Sequence, residues 1–338
     1  MVLAERLTSQ LLSGKPATSP EEVTRLLLAV QAQDARGARL AIRVRTSGLS
    51  AADIDQTLND RSLVIGWLNR GTLHLVAADD YPWLHALTTP QLFTANARRL
   101  EQEGVSPDEA DRAVAVIERS LAEEGPLTRG QLRERIAPTG VRTEAQALVH
   151  LLLLASLRGI AVRGPMAGGE QAFAHAGDWL GPQAPIDRDR ALAELARRYL
   201  AGHAPADDRD LAKWAGIPLG AARAGLQAIA AELHTRPDGL VELKATPTRA
   251  DPLPSPRLIG QFDPILLGWT SRADIVGAHS GIVTNNGIFR PFAMVEGRAA
   301  GTWGRRAGKI ELEPFHELSA EVRAALDADA ADVTRFLS

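Results

Sequence analysis

Leu63-Val-Ile-Gly-Trp67 and Thr72-Leu-His-Leu-Val76 stand on either side of Asn69-Arg-Gly71, and reading them decides the fold. Both runs are short and rich in branched apolar side chains, and a turn signal separates them, which is the pattern of a β-hairpin. Helical patterns lead into them. A short helix covers Leu3–Leu12, and Ser19 is placed to N-cap a second one, with Pro20 in its first turn and Glu22 completing a capping box. Val23, Leu26, Leu27 and Val30 then recur at helical spacing, and a further helix spans Ala51–Leu58. Helices that run into a small hairpin make a winged helix, a compact variant of the helix-turn-helix.

The same unit returns twice. Pro126-Leu-Thr-Arg-Gly-Gln-Leu132 and Pro205-Ala-Asp-Asp-Arg-Asp-Leu211 each put a proline six residues before a leucine, with an N-cap candidate, Thr128 or Asp207, two residues after the proline. In the first copy an apolar helix, Ala145–Leu157, precedes the strands Gly159–Arg163 and Gln171–His175. A helical linker, Asp187–Leu200, leads to the second copy, where a helix over Ala221–Glu232 precedes the strand Leu240–Leu243. Tandem repetition gives modules at 1–100, 101–186 and 187–246; a three-helix domain with coincidental turn similarity is the alternative. Prolines 247, 252, 254 and 256 mark a boundary. Beyond it, in 257–338, Asn285-Asn-Gly287 and Glu296-Gly297 punctuate β-rich segments at Gly281–Thr284, Ile288–Val295, Ala299–Trp303 and Ile310–Leu312. These make a small antiparallel β-domain with Pro291 at a bulge or sheet edge, finished by a helix over Ala320–Leu326 and a tail helix.

The 338 residues exceed one ordinary domain. With no cysteine, disulfides and thiolate zinc sites are excluded. The opening Met1-Val-Leu-Ala-Glu-Arg is charged and lacks a signal-peptide core, and the apolar block around Leu151–Leu154 is far too short for a membrane span. A soluble, cytoplasmic protein is expected. A net charge of −3 argues against a uniform basic coat. It leaves room for a basic groove, since attraction to phosphate is local over about 10 Å at moderate salt. All but four of the 38 basic residues are arginine, which suits bidentate phosphate contacts and is equally the mark of a GC-rich genome.

Gln31-Ala32-Gln33 reads as the close of the second helix, before the arginine-rich stretch Asp34–Arg45. Neutral amides are neither strong acids nor strong bases, but they can orient a water molecule beside a cationic centre. Residues i and i+2 sit about 200° apart on a helix, so both glutamines serve one site only if the helix ends there.

Val30-Gln-Ala-Gln33, Arg70-Gly-Thr-Leu-His-Leu75, Gln261-Phe-Asp-Pro-Ile-Leu-Leu-Gly268 and Asn286-Gly-Ile-Phe-Arg-Pro-Phe292, in this order, resemble the bacterial winged-helix DNA glycosylases of the AlkZ type. The match extends over essentially the whole chain. It implies an α+β fold in which three tandem winged helices and a small antiparallel β-domain form a concave DNA-binding channel. It also implies excision of alkylated purines, including bulky N7-alkylguanine adducts and interstrand crosslinks, in base excision repair or in self-resistance to DNA-alkylating natural products. The family's catalytic pattern of glutamine, an apolar residue, then glutamine or aspartate falls on Gln31, Ala32 and Gln33. Its threonine-apolar-histidine element falls on Thr72, Leu73 and His74.

The chemistry is coherent with those residues. An N7-alkylated guanine is already cationic and leaves as a neutral base without a general acid. What remains to stabilise is positive charge at C1′ and the approach of water, a task for the carbonyl dipoles of Gln31 and Gln33. Asp34 is adjacent and would stabilise a cation more strongly, so it stays a candidate. Thr72 and His74 share a strand face, and His74 is read as a contact to a phosphate, to the lesion or to the water-holding glutamine. Arg36, Arg43, Arg158, Arg163, Arg305 and Arg306 are the DNA-binding candidates, with Arg39, Arg45 and Lys309 beside them. No metal, nucleotide or redox cofactor is expected, because the histidines are scattered and Gly301–Lys309 lacks phosphate-loop spacing. The expected partner is double-stranded DNA carrying alkylated purines, bound by a monomer. The rival reading is a non-catalytic winged-helix protein, a transcription regulator or a lesion- or drug-binding factor.

Overall fold

The computed structural model describes residues 2–182, 184–279, 281–284 and 287–338. Helices α1 (Val2–Ser9) and α2 (Pro20–Leu27), the two-residue strand β1 (Val30–Gln31), then α3 (Ala35–Arg43) and α4 (Ala51–Asn59) lead into β2 (Leu63–Leu68) and β3 (Thr72–Ala77). Next come α5 (Tyr81–Thr88), α6 (Phe93–Gln102), α7 (Pro107–Glu124), α8 (Arg129–Ile136) and α9 (Ala147–Leu157), followed by β4 (Ala161–Ala167), β5 (Glu170–His175) and α10 (Ala176–Leu180). Helices α11 (Arg188–His203), α12 (Asp208–Ala215) and α13 (Leu219–Ala228) precede β6 (Leu233–Thr235) and β7 (Val241–Leu243). The last part holds β8 (Arg257–Ile259), α14 (Ala273–Val276), β9 (Phe292–Val295), β10 (Arg298–Arg306), β11 (Lys309–Pro314) and α15 (Ala320–Phe336).

These elements gather into two compact units. One takes the chain up to Ile54 together with Leu192–Trp214 and everything from Pro218 onward; the other holds Asp55–Ala191 and Ala215–Ile217. In the second unit β3, β2, β4 and β5 lie side by side, each antiparallel to its neighbour. The expected first hairpin is present, with Leu63 opposite Ala77 and Leu68 opposite Thr72. Ile65 also pairs with Arg163, so the two hairpins read from sequence as separate wings share one sheet. Helix α9 is buried on every side, from Ala147 through Leu157 apart from Val149 and His150, as an all-apolar helix must be. The sequence patterns mark no element between Ala78 and Gly125. The structure has α5, α6 and α7 there, the last fixed by a complete capping box of Ser106 and Glu109.

In the first unit β11, β10, β9 and β8 form an antiparallel sheet, and α15 packs along β8. The β10–β11 hairpin runs longer than expected because Ala307 and Gly308, at φ 46° and 83°, supply the left-handed pair a tight hairpin turn needs. The expected strand over Gly281–Thr284 is reduced to a single bridge between Val283 and Phe289, and β9 starts only at Phe292. Asn285 and Asn286 of the expected turn lie outside the described residues. Pro291 sits just ahead of the interior strand β9, where its missing N–H costs no ladder bond, and the bulge falls between Ala299 and Gly301. Helix α15 is one continuous helix from its Ser319 cap, because no glycine or proline interrupts it.

The sequence repeat has a structural counterpart. Leu127 exchanges two backbone hydrogen bonds with Phe173 of β5 (2.9 and 2.8 Å), and Ala206 does the same with Val241 of β7 (3.2 and 2.8 Å). Thr128 caps α8 and Asp207 accepts from the Asp210 N–H at the start of α12. Each copy therefore runs helix, bridging residue, two helices, hairpin.

Candidate functional site

Gln31-Ala-Gln33 does not close a helix. Helix α2 stops at Leu27, Leu28 takes a left-handed φ of 63°, and the Ala29 N–H turns back to the Leu27 carbonyl. Val30 and Gln31 are then strand. The apolar spacing that suggested a continuing helix, Val23 to Val30, is met instead by a buried strand residue. Gln31 is 7% exposed and Ala32 is buried, whereas Gln33 is exposed. The difficulty of two side chains 200° apart on a helix disappears with the helix itself.

Asp34 has a structural task. At φ −112° and ψ 119° it caps α3, and its carboxylate accepts the Gly37 N–H at 2.5 Å. That satisfies an orphan donor of the first turn and complements the helix dipole. One capping residue is all that separates Gln33 from a rigid helix.

His74 lies in the second unit, on β3, and is 2% exposed. Its Nδ1 is 2.9 Å from the Thr72 carbonyl oxygen, which fixes Nδ1 as the donor and leaves Nε2 as an acceptor. Burial, with the nearby Arg70 charge, pushes its pKa down to about 3, against the pull of the Thr72 hydrogen bond. The ring is therefore a neutral imidazole. The Thr72 Oγ1 atom is buried and has no hydrogen-bond partner among the described residues. Across the hairpin His74 faces Gly66, and a Cβ there would strike the Tyr81 ring. Directly opposed residues project to the same face, so Tyr81 lies on the His74 face of the sheet. The Tyr81 hydroxyl is buried without a hydrogen-bond partner among the described residues, and burial raises its pKa. Sequence reasoning missed Tyr81, although a glycine inside a strand, Gly66, is the usual sign of such a close approach.

The arginine candidates divide. Arg36 is exposed in the first turn of α3. Arg43 is not offered to solvent: its guanidinium is 2.9 Å from both Asp329 and Asp332 of α15, and its side chain is 5% exposed. This geometry gives it a structural role. Arg163 sits mid-sheet with its guanidinium 5.3 Å over the Phe173 ring, and burial lowers its pKa, with Arg129 adding to the effect. It is not the groove-edge residue expected from sequence. Arg158 is exposed and paired to Asp111 at 2.5 Å. Arg305 and Arg306 are exposed on the long β10–β11 hairpin, with Arg306 3.6 Å from Glu311 and 82% exposed. Among the described residues no three histidine, aspartate or glutamate side chains gather as a metal site, and no helix is long and apolar enough to cross a membrane.

A family model described as DNA glycosylase AlkZ-like matches residues 24–336. The interstrand DNA cross-link repair glycosylase of Streptomyces sahachiroi is 26% identical over 364 aligned positions, covering 99% of this chain and 95% of that protein. The solved structure of the Streptomyces sahachiroi DNA glycosylase AlkZ superposes with a TM-score of 0.78 at 22% identity, covering 99% of this chain and 95% of that one, which establishes the shared fold.

Proposed function

This chain belongs to the AlkZ-like DNA glycosylase family, and from that premise we propose that it hydrolyses the N-glycosidic bond of alkylated purines in duplex DNA. The two repeats of helix, bridging residue, two helices and hairpin are read as winged helices. The observation that carries the catalytic reading is the non-helical Gln31–Gln33 segment held directly against the capped start of α3. The chain leaves the strand after Gln31 and bends at Gln33, so no helical geometry keeps the two amides apart, and on this reading their carbonyl dipoles serve the same C1′ and hold water in line with it. Asp34 caps α3 through one carboxylate oxygen, and the catalytic work is assigned to the amides.

A cationic N7- or N3-alkylpurine leaves as a neutral base, so no acid is required. Neutral His74 supplies none. With its N–H engaged by Thr72 it can only accept, which suits a water or a lesion N–H and not a phosphate. Excision is then monofunctional, water being the nucleophile and an abasic site the product. Crosslinks with two N7-alkylguanines fall in the same chemical class, and the Streptomyces relative is named for interstrand cross-link repair. The test is a panel of duplexes bearing N7-methylguanine, a bulky N7-guanine adduct, uracil or 8-oxoguanine, scored for abasic sites. Both cationic lesions should be cut and both neutral ones left intact. Efficient uracil release would sink the proposal, because it demands an acid or an anion-stabilising group.

A further inference from the structure

One buried hydrogen-bond network ties together the two ends of the Gln31–Gln33 segment. Its centre is Arg45, fully buried, as is its partner Asp263. The guanidinium reaches both carboxylate oxygens of Asp263 (2.8 and 2.9 Å), the Ala41 carbonyl (2.8 Å), and both the backbone and side-chain oxygens of Gln10 (2.7 and 3.2 Å). Those are five hydrogen bonds for the five N–H donors of an arginine. Asp263 Oδ1 also accepts the Ile265 N–H at 2.9 Å, and Gln10 passes its own amide N–H to the Gly202 carbonyl at 2.9 Å.

Each arm of this network ends on a clamp. On one side Asp263 holds the segment Gly260–Asp263 against α3: a methyl group at Gly37 would collide with the Gln261 carbonyl, and one at Gly260 with Leu40. Gly37 is the residue whose N–H Asp34 caps, so this clamp fixes the exit of the glutamine segment. On the other side Gly202 of α11 lies against Leu26 and Leu27, where a methyl group would strike the Leu26 carbonyl. That clamp fixes the entry, just before the left-handed Leu28. Gln10 is buried and bonded to both arms.

We infer that Gln10, Arg45 and Asp263 are positioning residues for the reaction, acting through the two glycine clamps to hold Gln31 and Gln33 in a reactive geometry. The inference rests on the proposed glycosidic hydrolysis and adds to it the groups that preorganise the amides. A buried ion pair is weak support for stability but costly to leave half-made, and a shift of about 1 Å in a catalytic group costs on the order of 10²-fold in rate.

The experiment compares wild type with Gln10→Met, Gly37→Ala and Gly202→Ala on duplex DNA carrying N7-methylguanine. Single-turnover base release at saturating enzyme, DNA affinity and thermal unfolding are each measured, with the assay well below the melting temperature. Base release per folded molecule should fall by about 10-fold or more in Gln10→Met, Gly37→Ala and Gly202→Ala, with affinity changed less than about 3-fold. A network that only stabilises the fold would lower the melting temperature and leave that rate untouched, which would overturn the inference. Should Gln10→Met fail to fold, the two glycine variants, on opposite clamps, decide the matter. Inactivity of the wild type would defeat the functional reading alone. Hydrogen exchange then still decides on the clamps: amides 28–34 must exchange faster in each variant, and unchanged protection would contradict the network's role.

Discussion

His74 shows how much a single residue's surroundings decide. A strand histidine is ambiguous in sequence, open to pairing with a phosphate as a cation. Buried beside Arg70 with its pKa down at about 3, it stays neutral across the working range. Base release by the wild type should therefore show no limb near the ordinary histidine value, and a profile from about pH 5.5 to 8.5 should be flat. A rate rising or falling tenfold with a midpoint near 6.5 would place a titrating histidine in the reaction. Stability should respond. The unfolded chain binds a proton on this ring near the ordinary value of 6.5, while the folded chain refuses it down to about 3. Stability is thus intact above that window and lost as pH falls through it, with a slope of at most about 1.4 kcal/mol per pH unit. In melting experiments over this range the wild type should lose stability more steeply than His74→Gln; parallel curves would mean that the ring is protonated in the fold.

Between elements, the Arg43 contact with Asp329 and Asp332, 286 and 289 residues further along the chain, locks α3 to α15. Arg43→Ala leaves the largely buried Asp329 without its ion-pair partner, whereas Asp332 keeps Arg335. The change should cost about 3 kcal/mol of unfolding free energy, measured by urea denaturation, while the salt dependence of DNA binding stays as it was. A flatter slope with full stability would return Arg43 to the DNA-contacting set. Local signals were legible: Ser19 does cap α2, Thr128 and Asp207 do mark their helices, and Asn69–Gly71 does turn the β2–β3 hairpin. The end of α2 was not, because its stop is a leucine in a left-handed conformation and the apolar spacing runs on past it. Arg43 and Arg45 could not be sorted into the interior from sequence, since their acidic partners Asp329 and Asp263 lie more than 200 residues away.

For the whole molecule, the order of the four quoted motifs foretold a family that the comparisons then showed. The networks behind those motifs were out of reach: Gln261–Asp263 was recognisable as a string, and its task of bracing α3 follows only from three-dimensional packing. DNA binding belongs to this scale. If the exposed β10–β11 hairpin meets the phosphate backbone, replacing Arg305 and Arg306 together by alanine should lower the slope of log affinity against log salt by up to about 2, with the chemical step unaltered once DNA saturates. An unchanged slope would make the pair solvated surface. The most direct test of the central claim is single-turnover release of free N7-methylguanine from a duplex by wild type and by Gln31→Ala. The account predicts release by the wild type, a rate lower by roughly 10²–10³-fold in the variant, and similar DNA affinity in both. Equal rates, or no free base from the wild type, would contradict it.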